Sequence, residues 1–242
     1  MNYDNPAKSL HTLLEDARSL DGGLSSRKCW SYILDTNEKN TSELLYKISK
    51  AMLLPQKTQK LMEHYYPDKK HYLSHWKQKV DSAFNNANLK EQWSSFTKNL
   101  DDHVLTYIEM TGDLLDHKIE KSGIAIEKIE EIQEKIQELI NEVHETELPE
   151  GFKASLLDHL HEIKKSSEEY KISGYGPLLK SVESAIGKAA IDETYREQLK
   201  ETNLGRKIGA IFNTVIQSIN AADSAIKLAD KSSKLLGLDS GS

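Results

Sequence analysis

Apolar side chains recur at steps of three and four residues along most of the chain, whereas strict alternation of apolar and polar residues is almost absent. Steps of three and four place side chains on one face of an α-helix, and alternation would indicate a β-strand. The pattern predicts an all-α fold, a multi-helix bundle with a long central helix or a helical hairpin arm. Glycine and proline total only 17 of 242 residues, and residues 68–148 contain no proline, so long helices are expected.

Residues 1–115 are predicted to form an aromatic-rich domain of several short helices. Pro55 and Pro67 mark helix boundaries, because proline lacks the N–H that a helix interior needs. An apolar face over residues 73–84 includes Trp76 and ends before a run of asparagines. All three Trp and seven of the ten Tyr precede residue 110, whereas the rest of the chain relies mainly on Ile, Leu, Val and Ala.

Residues 116–147 are predicted to form an acidic amphipathic arm. Its apolar residues follow one another at steps of three, four, three and four, which is the a/d repeat of a coiled-coil seam. The seam consists of Ile129, Ile132, Ile136, Leu139 and Val143. Two heptads are too few for an independent coiled coil, so we expect a helical hairpin arm or a seam packed on another helix. A single helix over residues 89–146 would be about 85 Å long and would have to bend or project.

Residues 148–238 are predicted to form a second helical domain, followed by a frayed tail at residues 239–242. Gly174 suits a left-handed helix end, and Pro177 suits the first turn of the next helix. Residues 208–222 contain no charged side chain, which is typical of a buried helix but also allows insertion into a membrane. The apolar residues of this segment are Ile208, Ile211, Phe212, Val215 and Ile219. The segment is shorter than the roughly 20 residues that span a bilayer, which favours the core helix.

Charge is distributed unevenly along the chain. Residues 51–100 hold eight lysines against four acidic residues. Within this block the stretch 57–79 also carries four aromatic residues. Lysines neutralise phosphates and aromatic rings stack on unpaired bases, so the stretch is a candidate surface for nucleic acid or for protein docking. Its lysines are Lys57, Lys60, Lys69, Lys70, Lys77 and Lys79.

The acidic residues concentrate around the seam, with nine glutamates between residues 127 and 150. Their simplest interpretation is the solvated side of an exposed helix. The functional alternative is a docking surface for a basic partner, which includes the basic block of a second copy of the chain. Contacts of this kind accelerate association and weaken as salt is added.

Candidate reactive groups lack supporting motifs. Cys29 is the only cysteine, which excludes an internal disulfide, and its simplest role is a small buried side chain. His71 and His75 are four residues apart, with Asp68 one turn earlier, but the Glu-containing pattern of a zinc protease helix is missing. We therefore expect no enzyme activity, no cofactor and no metal site.

These features favour a non-enzymatic helical protein in assembly or regulation that acts by protein–protein contact or self-association through the acidic arm, with the five seam residues as the partner-binding residues. The alternatives are a membrane-active protein, pore-forming or toxin-like, that uses residues 208–222, and a nucleic-acid-binding protein that uses residues 57–79. The first residues lack the basic start and apolar run of a secretory signal, and no window reaches the ~18 apolar residues of a membrane span. A cytoplasmic location is expected.

Overall fold

The computed structural model describes residues 3–119 and 123–219. Within these ranges the chain forms α-helices and one short 3-10 helix, with no β-strand beyond an isolated bridge between Ser25 and Gln92. The predicted all-α bundle is confirmed. The chain divides into two compact units between residues 119 and 120.

The first unit contains a series of mostly short helices. They are α1 (Pro6–Ser19), α2 (Ser26–Ile33), α3 (Thr41–Met52), α4 (Leu54–Tyr65), a 3-10 turn (Pro67–Lys69), α5 (His71–Ser74), α6 (Lys77–Asn85), α7 (Ser94–Thr97) and α8 (Asp102–Asp116). The predicted boundaries at Pro55 and Pro67 are confirmed, since each proline lies in the first turn of its helix. The predicted face over residues 73–84 is buried but divided, because Trp76 lies between α5 and α6 as the residue that precedes α6.

Aromatic side chains form the core of the first unit. Trp30 lies with its ring centroid 5.1 Å from that of Trp93 and 4.8 Å from that of Phe96, and Phe84 lies 6.0 Å away. The indole N–H of Trp93 donates to the carbonyl of Ala17 in α1 over 2.7 Å. This bond satisfies a buried donor and joins the aromatic cluster to α1.

Asn5 fixes the start of α1 against the end of α8. Its side-chain oxygen accepts from the backbone N–H of Ala7 over 3.1 Å and so caps α1. Its amide nitrogen donates to the carbonyl of Gly112 over 2.8 Å and to a carboxylate oxygen of Asp116 over 2.7 Å. Because Asn5 is fully buried, these bonds satisfy a polar side chain inside the core.

The second unit contains longer helices. They are α9 (Ile126–Glu145), α10 (Glu150–Glu168), α11 (Tyr170–Ser173), α12 (Tyr175–Ile191), α13 (Glu193–Glu201) and α14 (Asn203–Ser218). Helix α9 packs on α10 and α14, and α12 packs on α10, α13 and α14. Since only residues 146–149 separate α9 from α10, the two form a helical hairpin, which is one of the two predicted arrangements.

No continuous helix runs over residues 89–146, because α8 ends at Asp116 and α9 begins at Ile126. The hydroxyl of Tyr170 accepts from the backbone N–H of Ile124 over 2.6 Å and donates to its carbonyl over 3.0 Å. These two bonds occupy the backbone groups that a helix would need at Ile124. The sequence predicted domain boundaries at 115/116 and 147/148. The structure has one division, at 119/120, and α9 belongs to the second unit. The predicted tail at residues 239–242 lies outside the described residues.

Two glycines have specific structural roles in the second unit. Gly174 has a φ of 69° and ends α11, as its predicted left-handed role requires. A Cβ atom added to Gly205 would lie 1.8 Å from the carbonyl oxygen of Leu199. The start of α14 therefore approaches the end of α13 more closely than any other residue would allow.

The contrast between Gly205 and Gly187 gives a test of this packing. Gly187 lies inside α12, where an added Cβ would meet no atom within 4 Å. We expect Gly187→Ala to raise the free energy of unfolding by about 1 kcal/mol, because alanine restricts the unfolded chain and favours the helix. Gly205→Ala should lower it by about 1–3 kcal/mol through overpacking. Urea denaturation of both variants measures the difference, and equal stabilities would contradict the described packing of α14.

Candidate functional site

The five seam residues lie in the core of the second unit. Ile129, Ile132, Ile136, Leu139 and Val143 are at most 3% exposed. They lie on the buried side of α9, the helix that packs on α10 and α14. In the described structure these side chains are covered by the chain itself. The surface that α9 offers to another molecule is therefore its opposite side.

A row of glutamates occupies that outward side of α9. Five exposed carboxylates follow one another at helical steps, with Asn141 filling the remaining position. We call this set the acidic row, and it consists of Glu127, Glu130, Glu134, Glu138 and Glu145. At 1.5 Å per residue the row is about 27 Å long.

The acidic row is not neutralised by any residue in the ranges 3–119 and 123–219. None of its members forms an ion pair with another described residue, although basic residues lie on the same helix. Lys128 and Lys135 both bind Glu131, at 2.6 and 2.5 Å, and Lys207 of α14 binds Glu142 at 2.7 Å. These three cations thus pair with carboxylates that flank the row and leave its own carboxylates without an ion pair.

Uniform charge along one helix face opposes helix formation. Glu130, Glu134 and Glu138 are separated by four residues, a spacing at which like charges destabilise a helix by about 0.2–0.5 kcal/mol per pair. The buried seam offsets this repulsion, since burial of each large aliphatic side chain contributes roughly 1.5–3 kcal/mol. The acidic row therefore lowers the stability of α9, so helix stability does not explain its presence.

The six lysines predicted as a basic surface differ in their pairing. Lys77 binds Asp81 at 2.5 Å, and Lys79 binds Asp101 at 2.6 Å. Two of the six positive charges are therefore paired with carboxylates. The other four form no ion pair with a described residue, and they are Lys57, Lys60, Lys69 and Lys70. Burial, and then the neighbouring charge of Lys50, lowers the pKa of Lys57. Two of the unpaired lysines, Lys69 and Lys70, are consecutive.

The aromatic residues beside this basic surface are only partly available. Trp76 is fully buried and its indole N–H donates to the hydroxyl of Thr111 over 3.3 Å. The ring of Tyr66 lies under the ammonium group of Lys69 at 5.4 Å, and its hydroxyl donates to the carbonyl of Leu114. These contacts give Trp76 and Tyr66 structural roles within the first unit.

A surface cluster of rings joins α5 to α8 and was not found from the sequence. His75 stacks on Tyr107 with centroids 4.1 Å apart, and His103 lies 4.7 Å from Tyr107. Tyr72 completes the cluster at 6.4 Å from Tyr107. The four residues come from segments about 30 positions apart, so local spacing could not bring them together. The sequence signals were the three-residue step between Tyr72 and His75 and the four-residue step between His103 and Tyr107.

The uncharged segment also lies in the core. Ile208, Ile211, Phe212, Val215 and Ile219 are at most 5% exposed, and α14 packs on α9, α12 and α13. A membrane role would require α14 to leave these contacts. Among the described residues, none of the helices combines the length and the apolar character that crossing a membrane requires. Residues 220–222 of the predicted segment lie outside the described residues.

The remaining candidate residues are Cys29 and the histidines considered as metal ligands. Cys29 is buried, and this burial raises the pKa of its thiol. His71 contacts the ring of Tyr72, with centroids 4.9 Å apart. In the part of the chain that the structure describes, no three His, Cys, Asp or Glu side chains are grouped as a metal site would need.

Comparison with known proteins found no matching family model, no matching curated protein and no matching solved structure. The case for each candidate surface therefore comes from the geometry of its own residues.

The pairing of Glu131 can be tested by titration. Hydrogen bonds from Lys128 and Lys135 lower the pKa of Glu131 from 4.5 to about 2. We expect NMR titration of its carboxyl group to give a midpoint near 2, and the double variant Lys128→Met, Lys135→Met to return the midpoint towards 4.5. Because the folded pKa lies below the unfolded value, this contribution to stability is present above pH 4.5 and is lost as the pH falls towards 2. A wild-type midpoint near 4.5 would contradict the described pairing.

Proposed function

We propose that this chain is a non-enzymatic helical interaction protein whose acidic row docks a basic surface on a protein partner. The observation that supports this most directly is the set of five exposed carboxylates on one face of α9 without an ion pair in the described structure. Such a face attracts a complementary positive surface and loses that attraction as salt is added. Its role would be assembly or regulation.

The proposal places the contact on the outward face of α9 instead of the seam. The seam side chains already pack within the second unit, so a partner could reach them only if α9 separated from α10 and α14. The hairpin of α9 and α10 holds the row on a packed helix, so little conformational entropy is lost on binding. This rigidity favours a partner whose basic residues are also regularly spaced.

A basic helix about 20 residues long would match the row in length, since it spans about 30 Å. Another copy of this chain is one candidate, because its first unit presents four unpaired lysines. The proposed location is the cytoplasm, and a single cysteine fits a reducing compartment.

Neutral substitution of the row tests the proposal. In the variant Glu130→Gln, Glu134→Gln, Glu138→Gln, we expect the affinity for a lysine-rich helical peptide to fall at least about tenfold, equivalent to ~1.4 kcal/mol. The salt dependence of binding should also become weaker. Fluorescence anisotropy at several salt concentrations measures both quantities.

The matched control removes the same charge from other exposed sites of the second unit, as Glu162→Gln, Glu183→Gln, Glu197→Gln. This control should bind the peptide like the wild type. Equal losses in both variants would show that net charge alone attracts the peptide, and the acidic row would then not be a docking site.

A second candidate function, binding of single-stranded nucleic acid, is favoured by the ring cluster of Tyr72, His75, His103 and Tyr107. Rings stack on unpaired bases, and in this cluster His103 is exposed while Tyr72, His75 and Tyr107 are half-buried. Lys69 and Lys70 lie immediately before His71 and Tyr72 and form no ion pair with a described residue. Both components that such a surface needs are thus present in the first unit.

Charge reversal at Lys69 and Lys70 tests whether this surface binds nucleic acid. We expect Lys69→Glu, Lys70→Glu to weaken binding of a labelled oligothymidylate at least about tenfold, because two phosphate contacts are replaced by repulsion. The control Lys39→Glu, Lys90→Glu changes two exposed lysines of the same unit by the same charge. Equal retention of the oligonucleotide by both variants in a gel-shift titration would refute nucleic-acid binding at this surface.

A further inference from the structure

A cleft of about 380 Å³ lies in the second unit, where the start of α10 meets the junction of α12 and α13. Gly151 and Phe152 of α10 form one side, and Lys188, Asp192, Tyr195 and Gln198 form the other. The volume is at the lower end of the range of about 300–1,000 Å³ for ligand pockets, which indicates a small molecule and not a polymer.

Tyr195 presents an unused hydroxyl group to this cleft. The residue is only 3% exposed, and its ring packs on Phe152 with centroids 5.2 Å apart. Its hydroxyl forms no hydrogen bond with any described residue, so it can donate to a molecule in the cleft. Burial, and then the charge of Asp192, raises the pKa of Tyr195, so the hydroxyl stays protonated and can donate.

Gln198 supplies an acceptor beside this donor. It lies three residues after Tyr195 on α13, so the two side chains share one helix face. Its Oε1 atom is buried and has no hydrogen-bond partner within the described structure. An oxygen in this state is stabilised by a ligand that carries an N–H or O–H group.

The start of α10 adds further donors. This 19-residue helix has no side-chain cap, because Pro149 precedes its first residue. The backbone N–H groups of the first turn, at Glu150, Gly151 and Phe152, are therefore free of capping bonds and point beyond the helix start. Free N–H groups and the positive end of the helix dipole favour a negatively charged oxygen.

The charges in the cleft are balanced. Lys188 binds Asp192 at 2.8 Å, so one cation and one anion face the same space. A simple anion would satisfy the donors of α10 and Tyr195 but would leave Oε1 of Gln198 without a donor. A simple cation would leave the donors of α10 and Tyr195 unused. A molecule with an anionic group and a protonated amine satisfies both sides.

We propose that this cleft binds a small zwitterion of the α-amino acid class. The carboxylate faces the start of α10 and the hydroxyl of Tyr195, and the ammonium group faces Oε1 of Gln198. The side chain of the ligand packs beside the ring of Phe152. This site is separate from the acidic row and does not depend on the proposed docking function.

A thermal-shift screen of the full chain against each of the twenty standard amino acids at about 10 mM tests the proposal, since a ligand of the folded state raises Tm. We expect at least one amino acid to bind. Titration calorimetry should then show at least tenfold weaker binding of its analogues that lack either the amino or the carboxyl group. For phenylalanine these analogues are 3-phenylpropionate and 2-phenylethylamine.

Two variants assign the binding to this cleft. Tyr195→Phe keeps the buried ring and removes only the hydroxyl, and Gln198→Leu removes the acceptor. Each should weaken binding about tenfold, whereas Tyr65→Phe, a matched change in the first unit, should have no effect. The proposal is overturned if no amino acid raises Tm, if the analogue without the amino group binds as well as the amino acid, or if both cleft variants bind like the wild type.

Discussion

The burial of one apolar stripe of α9 is the contact on which the second unit depends. Ile132, Ile136 and Val143 are fully buried on the helix that packs on α10 and α14. Truncation of a buried isoleucine to alanine typically costs about 2–5 kcal/mol. Because a helix has 3.6 residues per turn, the same sequence that directs this stripe inwards directs Glu130, Glu134 and Glu138 outwards. The core of this unit and its charged surface are therefore two sides of one helix.

Local spacing predicted the helical class and the buried faces, because the positions that pack together within one helix lie three and four residues apart. It left open whether the segment over residues 89–146 bends or projects. At the break between α8 and α9 the hydroxyl of Tyr170 binds the backbone of Ile124 from 46 positions away. Local spacing could not predict the ring cluster or the cleft either, since each combines side chains from helices that are distant in the sequence.

The charge count in the sequence also differs from the charge that the surface presents. Lys79 was predicted to contribute to a basic patch, but Asp101 on a later segment pairs with it. Glu142 was counted among the acidic residues, but Lys207 of α14, 65 positions away, pairs with it. The sequence indicated the correct sign of each region, and tertiary contacts then selected which charges stay unpaired. The unpaired charges are the ones that a partner can use.

The hydrogen bonds of Asn5 have a topological consequence for the first unit. They connect the residue before α1 to Gly112 and Asp116 at the end of α8, so the first and last helices of this unit meet at one point. A domain whose two ends are adjacent can be inserted into a loop of another protein, or have its ends joined and a new opening made elsewhere, with little change to its core. The first unit therefore has the geometry of a module that recombination could move as a whole.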